Sequence, residues 1–433
     1  MSPGNLILCL IKQIEAESIS YVYLRNHENL PDDVGNDVDL LIQKGLTTKV
    51  LEIITTEAPK HGWKVLRKVQ FSPLSVFLAE THGEAFLHID LFERLEWHFI
   101  EYAVASQLLA RRQWNGCVHI PYPADELYLN ISTRLIYQGK VREKHRLQAQ
   151  LLVDQDRQKE IRDSFVYHIG SKVGMDMANA MIDGDWERVE ASANTLRRAA
   201  IKRNALRTPF AAGKGLFSYL RRASGRLISP PGPFVIFVGV AGVGKSTLIE
   251  GVLPLFKELT GRSDTLIFRG EPTEATLQIT GESDNRASIP NTNDPRSAIV
   301  SIFFLIYRLI RLWIGYLRQI LPSRIKNRAV IGECYAYEWF LDPHRLGLQL
   351  PQWTLRLAAI MSPKPDLVIC MISAPNQIIL RGKGLSESTI DIYQTRLRNL
   401  VNKHKYCVEL DSGSCADIVL NKAIKLIVSG ISE

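Results

Sequence analysis

Gly239-Val-Ala-Gly-Val-Gly-Lys-Ser246 fits the pattern G-x-x-x-x-G-K-[ST] at every fixed position. Those residue types suit one chemistry, the capture of a polyphosphate. The glycines let the amides of Val240 through Lys245 converge on a β-phosphate with no Cβ in the way. Lys245 brings a cation to the β- and γ-phosphates, and the Ser246 hydroxyl suits a Mg²⁺ ion. Thr247 enters the helix that follows, whose N-terminal amides and dipole face the same anion. The expected nucleotide contacts are therefore Gly239, Val240, Ala241, Gly242, Val243, Gly244, Lys245, Ser246 and Thr247, with ATP and Mg²⁺ as the cofactors.

A second constellation is acidic. Gly35-Asn-Asp-Val-Asp-Leu-Leu-Ile42 sets Asp37 and Asp39 at alternate positions entering a strand, so both carboxylates share a face. Asp90 lies near the end of another apolar strand, Leu87–Phe92. Three carboxylates so placed suit two Mg²⁺ ions that align a hydroxyl with an α-phosphate. The alternative is a polar loop, with Asp32 and Asp33 nearby, plus one incidental aspartate.

The elements that must position these residues divide the chain into three. Residues 1–105 alternate strand-like runs (Tyr21–Leu24, Val38–Ile42, Val76–Glu80, Leu87–Phe92) with a helix over Thr47–Glu57, giving a small α+β domain. Residues 106–228 form a helical connector, with helices from Ala124 and through Arg142–Val153, Arg157–Ile169 and Trp186–Lys202. Ser229-Pro-Pro-Gly-Pro233 ends it, because no helix continues through that run. In residues 233–433, buried strands at Phe234–Val238, Ala329–Ile331 and Leu367–Ile372 alternate with helices, the first of them over Thr247–Glu258. That alternation predicts an α/β fold, a doubly wound parallel sheet carrying a P-loop.

Composition excludes fibrous or broadly disordered classes: 46% of residues are hydrophobic and 23% charged. Six widely spaced cysteines with no C-x-x-C pair suit reduced thiols in a cytoplasm, and the N-terminus lacks the order of a signal peptide. The net charge of +8 is local. Between Arg197 and Arg226 lie nine Lys and Arg residues and no Asp or Glu. This stretch is either a solvated helical face or a contact for anionic membrane or another polyanion. Ile299–Leu317 is apolar enough to span a bilayer, but Arg308 and Arg311 interrupt it at a cost of roughly 2.5–3.5 kcal/mol each. A helix buried in the C-terminal domain is expected there, with peripheral membrane contact as the alternative.

Residues 233–433 resemble the thymidylate kinase family of nucleoside monophosphate kinases. Phe268-Arg-Gly-Glu-Pro-Thr273 is similar to its acceptor-handling Arg-Glu-Pro segment, so the resemblance makes Arg269 and Glu271 substrate contacts. Val330-Ile-Gly-Glu-Cys-Tyr335 stands where the family has Asp-Arg-Tyr, which gives Glu333 a role at Mg²⁺ or the acceptor. Pro365–Ile372 resembles the strand leading into the lid, whose cations then fall at Arg381 and Lys383. Val408–Ser412 resembles the last strand and the adenine-side loop. A surface loop of solvated charges is the alternative for Arg381 and Lys383, and core packing for Tyr335, Tyr337 and Trp339. The closer likeness is to a divergent bacterial branch found among surface-polysaccharide genes, in which a nucleotidyltransferase-like domain comes first.

Two departures qualify the resemblance. Cys334 replaces the family arginine and removes a bidentate phosphate contact, so an acceptor other than thymidylate is expected. In the first domain, Leu24-Arg25-Asn26 stands where nucleotidyltransferases carry a Gly-Ser pair, leaving Arg25 as the candidate phosphate contact.

Together these readings predict a cytoplasmic, Mg²⁺-dependent kinase, peripheral at the membrane if the basic stretch binds lipid. Lys245, Glu333, Arg381 and Lys383 would be catalytic, with Ser246 and Glu333 at the metal. A nucleotide and a phosphate acceptor are the partners, and the family likeness implies a homodimer. The alternatives are nucleotidyl transfer through Asp37, Asp39 and Asp90, or a binding module switched by nucleotide.

Overall fold

The computed structural model describes residues 1–81, 85–153, 157–207, 209–269, 276–279, 297–381 and 385–431. The chain folds as two compact units, Met1–Ser224 and Gly225–Glu433.

The first unit is built on a five-stranded sheet: β1 (Tyr21–Tyr23), β2 (Val38–Ile42), β3 (Trp63–Gln70), β4 (Leu74–Glu80) and β5 (Phe86–Phe92). Their spatial order is β1-β2-β5-β4-β3, with β2 and β5 parallel and the other neighbours antiparallel. Helices α1 (Pro3–Ala16) and α2 (Thr47–Lys60) share one apolar core with it through Leu6, Leu10, Val50 and Ile54. Proline and the Ser2 cap start α1 cleanly, since Ser2 Oγ accepts from the Asn5 amide. The helices from Pro123 onward belong to this unit as well. Leu127, Ile131 and Phe165 join Val22 and Leu41 in a second core, so the stretch expected as a connector packs with the strands.

The basic stretch is helical over Ala193–Arg207 and Pro209–Ile228. Much of its charge is spent inside the unit. Arg197 donates to the Leu135 and Ile136 carbonyls and lies over Trp97, Arg203 donates to the Glu101 carbonyl, and Arg222 pairs with Glu96 at 3.4 Å.

In the second unit a mixed sheet is formed by β6 (Phe234–Gly239), β7 (Asp264–Arg269), β8 (Thr276–Ile279), β9 (Val330–Glu333), β10 (Leu367–Ile372) and β11 (Cys407–Asp411). The order is β8-β7-β9-β6-β10-β11; five strands are parallel and β8 is antiparallel to β7. Every residue of β6 and β10 is buried, as expected for central parallel strands covered on both faces. Phe234, Ile236 and Val238, alternating along β6, pack with Leu305, Leu312 and Trp339.

One helix departs from expectation. The run Ile299–Leu317 reads as a buried helix; in the helix Ala298–Gly315, however, Ser301, Leu305, Leu312 and Gly315 make a narrow inward stripe while most of the large apolar side chains face solvent. Ala298–Ile325 is long and apolar enough to cross a membrane, and 22% of its most apolar window is buried.

Candidate functional site

Strand β6 ends at Gly239, and helix α3 (Lys245–Thr260) begins six residues later, so the glycine-rich loop bridges a strand end and a helix start. The sheet register dictates the glycine at 239. Gly239 pairs with Met371 of β10, and a Cβ there would lie 2.8 Å from the Met371 carbonyl oxygen and 2.9 Å from Val243 Cγ1. Gly242 and Gly244 take φ values of 89° and 104°, which side chains rarely allow.

The same register gathers the charged groups. Glu333, the last residue of β9, pairs with Phe237 of β6 on one side and Arg269 of β7 on the other. Arg269 Nε therefore lies 3.4 Å from Glu333 Oε2. Lys245, almost fully buried at the start of α3, reaches within 4.0 Å of Glu333 Oε1 and donates to the Gly239 and Val240 carbonyls at 2.7 and 3.2 Å. Ser246 Oγ is 3.4 Å from Glu333 Oε2. Arg381, closing the helix Pro375–Leu380, lays its guanidinium on the loop and donates to the Gly242 carbonyl at 3.0 Å.

Lys245, Ser246, Glu333 and Arg381 border one cavity of about 710 Å³. Ala241 to Leu248 line it on one side, Glu333, Cys334, Arg345 and Arg381 on another, and Ser412, Ser414, Asp417 and Leu420 on a third. Its size suits a nucleotide-sized ligand. A hydroxyl and a carboxylate converging at 3.4 Å form the oxygen donor set that Mg²⁺ favours, so Ser246 and Glu333 fit that ion. Of the residues expected at this site, Lys245, Ser246, Glu333, Arg269 and Arg381 come together. Glu271 and Lys383 lie outside the described residues.

Arg345 and Glu338 are brought to this region by the fold with no role assigned from the sequence. Arg345 lines the cavity beside Cys334 and brings a guanidinium to it. Cys334 itself has φ 61°, and burial pushes its thiol up to about 12, so it supplies neither cation nor thiolate. Glu338 lines a small adjoining cavity of about 20 Å³ that shares Cys334 and Arg345. Burial raises the Glu338 pKa, against the opposing pull of Lys245 and of the Tyr393 hydroxyl, which donates to it at 2.7 Å. A carboxylate five residues beyond Glu333 is the sequence signal for it. Tyr335, Tyr337 and Trp339 are buried core aromatics.

The acidic constellation of the first unit also forms. Strands β2 and β5 pair Asp39 with Asp90, and carboxylate oxygens of Asp37, Asp39 and Asp90 approach within 4.8 Å of one another. Arg25 is half exposed, yet it is held by the acids. It pairs with Asp37 at 2.6 Å and with Asp39 as well, placing a guanidinium among the acids. Burial pushes the Asp39 carboxyl up to about 6 despite that cation. Burial also opposes ionisation of Asp90, but His88 at 3.0 Å and the Ser75 hydroxyl hold its pKa below the ordinary value.

No protein-family model and no curated protein sequence matches the chain. Among solved structures it is similar to thymidylate kinase from Ehrlichia chaffeensis, with 14% identity and a TM-score of 0.31 over 46% of this chain and 100% of that one.

Proposed function

We propose that the unit Gly225–Glu433 is an ATP-dependent phosphotransferase of the nucleoside monophosphate kinase type. The observation that carries this reading is the convergence of Lys245, Ser246, Glu333 and Arg381 on one nucleotide-sized cavity at a strand–loop–helix phosphate cradle. Phosphoryl transfer asks a protein mainly for positioning and charge neutralisation, which these groups offer.

The loop amides and the start of α3 hold the β- and γ-phosphates, and Lys245 neutralises them from below. Ser246 and Glu333 would hold Mg²⁺, which when bound neutralises charge on the phosphate oxygens. Arg381, lying on the loop, and Arg345, in the opposite wall, supply cations around the phosphoryl group in transfer. Arg269 keeps Glu333 in place through their ion pair and faces the acceptor side. The acceptor shares the cavity of about 710 Å³ with the nucleotide, near Cys334 and Arg345.

Nucleotidyl transfer by the first unit is less favoured, because Arg25 already neutralises two of its three carboxylates. The test is ATP consumption, read as ADP formed, in the presence of a bacterial metabolite and glycan extract. Lys245→Ala and Arg381→Ala are each expected to slow it by about 10²–10³-fold, the loss typical of one transition-state charge contact. Equal rates in wild type and Lys245→Ala would sink the proposal.

A further inference from the structure

Helix α4 (Ala298–Gly315) rests on its unit through the stripe Ser301, Leu305 and Leu312, and turns a second stripe outward. Ile299, Phe303, Ile306, Ile310, Ile314 and Leu317 follow helical spacing on that outer face, and Phe303 is 69% exposed. Helix α5 (Gln352–Ile360) adds Trp353, Arg356, Leu357 and Ile360, a single face at i, i+3, i+4 and i+7. The Trp313 indole N–H donates to the Met361 carbonyl at 3.0 Å and ties the two together. An apolar surface of this extent calls for an occupant.

The α5 face runs into a cavity of about 420 Å³. Arg356 and Ile360 line it, with Lys364, Arg396, Lys403 and His404 around them and Tyr337, Phe340 and Tyr406 giving it apolar walls. Among the described residues no carboxylate lines it. Lys364 and Tyr406 precede β10 and β11, so the cavity opens at the N-terminal edge of the parallel sheet. The phosphate loop follows the opposite edge, about 20 Å away along a six-residue strand. The cavity is therefore separate from the one at the phosphate loop.

Charge decides the occupant. Residues 297–328 contain six Lys and Arg residues and no Asp or Glu, of which Arg324 and Arg328 are already paired with Asp366 and Asp264; residues 351–365 likewise contain cations alone. A two-fold interface between copies would set these cations against their own images. An anionic bilayer complements them, and Tyr307, Trp313 and Trp353 are the side chains that favour a membrane–water boundary. Arg308 and Arg311, together with the buried inner stripe, hold the helix along a surface rather than across a membrane. We infer that the α4–α5 face docks on an anionic phospholipid bilayer, with a lipid phosphate seated in the Arg356–Lys403 cavity.

Cosedimentation of the full chain with vesicles tests this, comparing phosphatidylcholine alone with phosphatidylcholine containing one-third phosphatidylglycerol. Binding is expected to the anionic vesicles only and to weaken in high salt. Arg356→Gln with Lys403→Gln should cost about 25-fold in partitioning, at about fivefold per surface cation. Phe303→Asp should abolish it. All three positions line exposed surface, so wild-type melting is expected; a variant that melts early is replaced by Leu357→Asp. Equal binding to neutral vesicles, or no binding to either, would overturn the inference. So would a dimer in sedimentation velocity that Phe303→Asp dissociates, which gives the face to a second copy. Saturable binding of soluble glycerol phosphate at this cavity without vesicle capture would make it a soluble phosphoester site and equally overturn it.

Discussion

Replacing Glu333 by glutamine removes a charge while keeping volume and one hydrogen-bonding oxygen. Glu333 stands between two cations, 4.0 Å from Lys245 Nζ and 3.4 Å from Arg269 Nε, and its side chain is 14% exposed. A unit pair at 4 Å interacts by about 4 kcal/mol at an effective dielectric of 20. That is a ceiling for the Lys245 pair, because Lys245 keeps the Gly239 and Val240 carbonyls as partners. The Arg269 pair is nearly a third exposed on the arginine side and adds little. Set against the desolvation the glutamate itself suffers, a net loss of about 1–3 kcal/mol follows. The readout is urea unfolding of the full chain, following the transition that Mg·ADP shifts. Glu333→Gln should lower its midpoint and raise the Mg²⁺ needed for half-maximal ATP binding by about 10–100-fold. An unchanged midpoint with an unchanged Mg²⁺ requirement would refute the placing of Glu333 at the centre of the site.

Gly332→Ala would press a methyl into Phe268 and Ile236 and should cost about 1–3 kcal/mol in the same transition, with nucleotide affinity in the folded fraction unchanged. Gly239→Ala meets backbone at Met371, so ITC should show Mg·ADP binding weakened by at least tenfold. Arg25→Ala strands the buried Asp39 beside Asp37 and Asp90 and, discounted for the half-exposed guanidinium, should destabilise the first unit by about 1–2 kcal/mol in chemical denaturation. Burial lowers the His168 pKa, more than its neighbour Asp125 restores it. The unfolded chain then binds the extra proton first, so the first unit should lose stability as pH falls below about 6.5 and gain nothing above it. Thermal melts between pH 5 and 8 should show that slope in wild type and less of it in His168→Gln.

What was legible in the sequence follows from how tightly chemistry constrains each feature. A phosphate cradle needs its glycines, lysine and serine at set spacings, so Gly239–Ser246 and its flanking strand and helix are readable without a structure. Strand alternation likewise exposed Asp37 and Asp39, and the Asp39–Asp90 pairing in the sheet supports setting Asp90 with them. From sequence Arg25 is a candidate phosphate contact, but its partners depend on a register that brings it onto Asp37 and Asp39. Arg345 lies twelve residues beyond Glu333 with no periodicity to link them; only the turn after β9 brings both to one cavity. The helix Ala298–Gly315 shows the limit most clearly. An apolar run has the same composition whether core or solvent covers it, and which face is covered is a property of packing.

The most direct test of phosphoryl transfer compares ATP labelled at the γ-phosphate with ATP labelled at the α-phosphate, each incubated with the protein, Mg²⁺ and the metabolite and glycan extract. The kinase reading predicts label on an acceptor from the γ position only, and none with Lys245→Ala. Label arriving from the α position, and lost in Asp37→Ala or Asp39→Ala, would contradict it and make the first unit the enzyme.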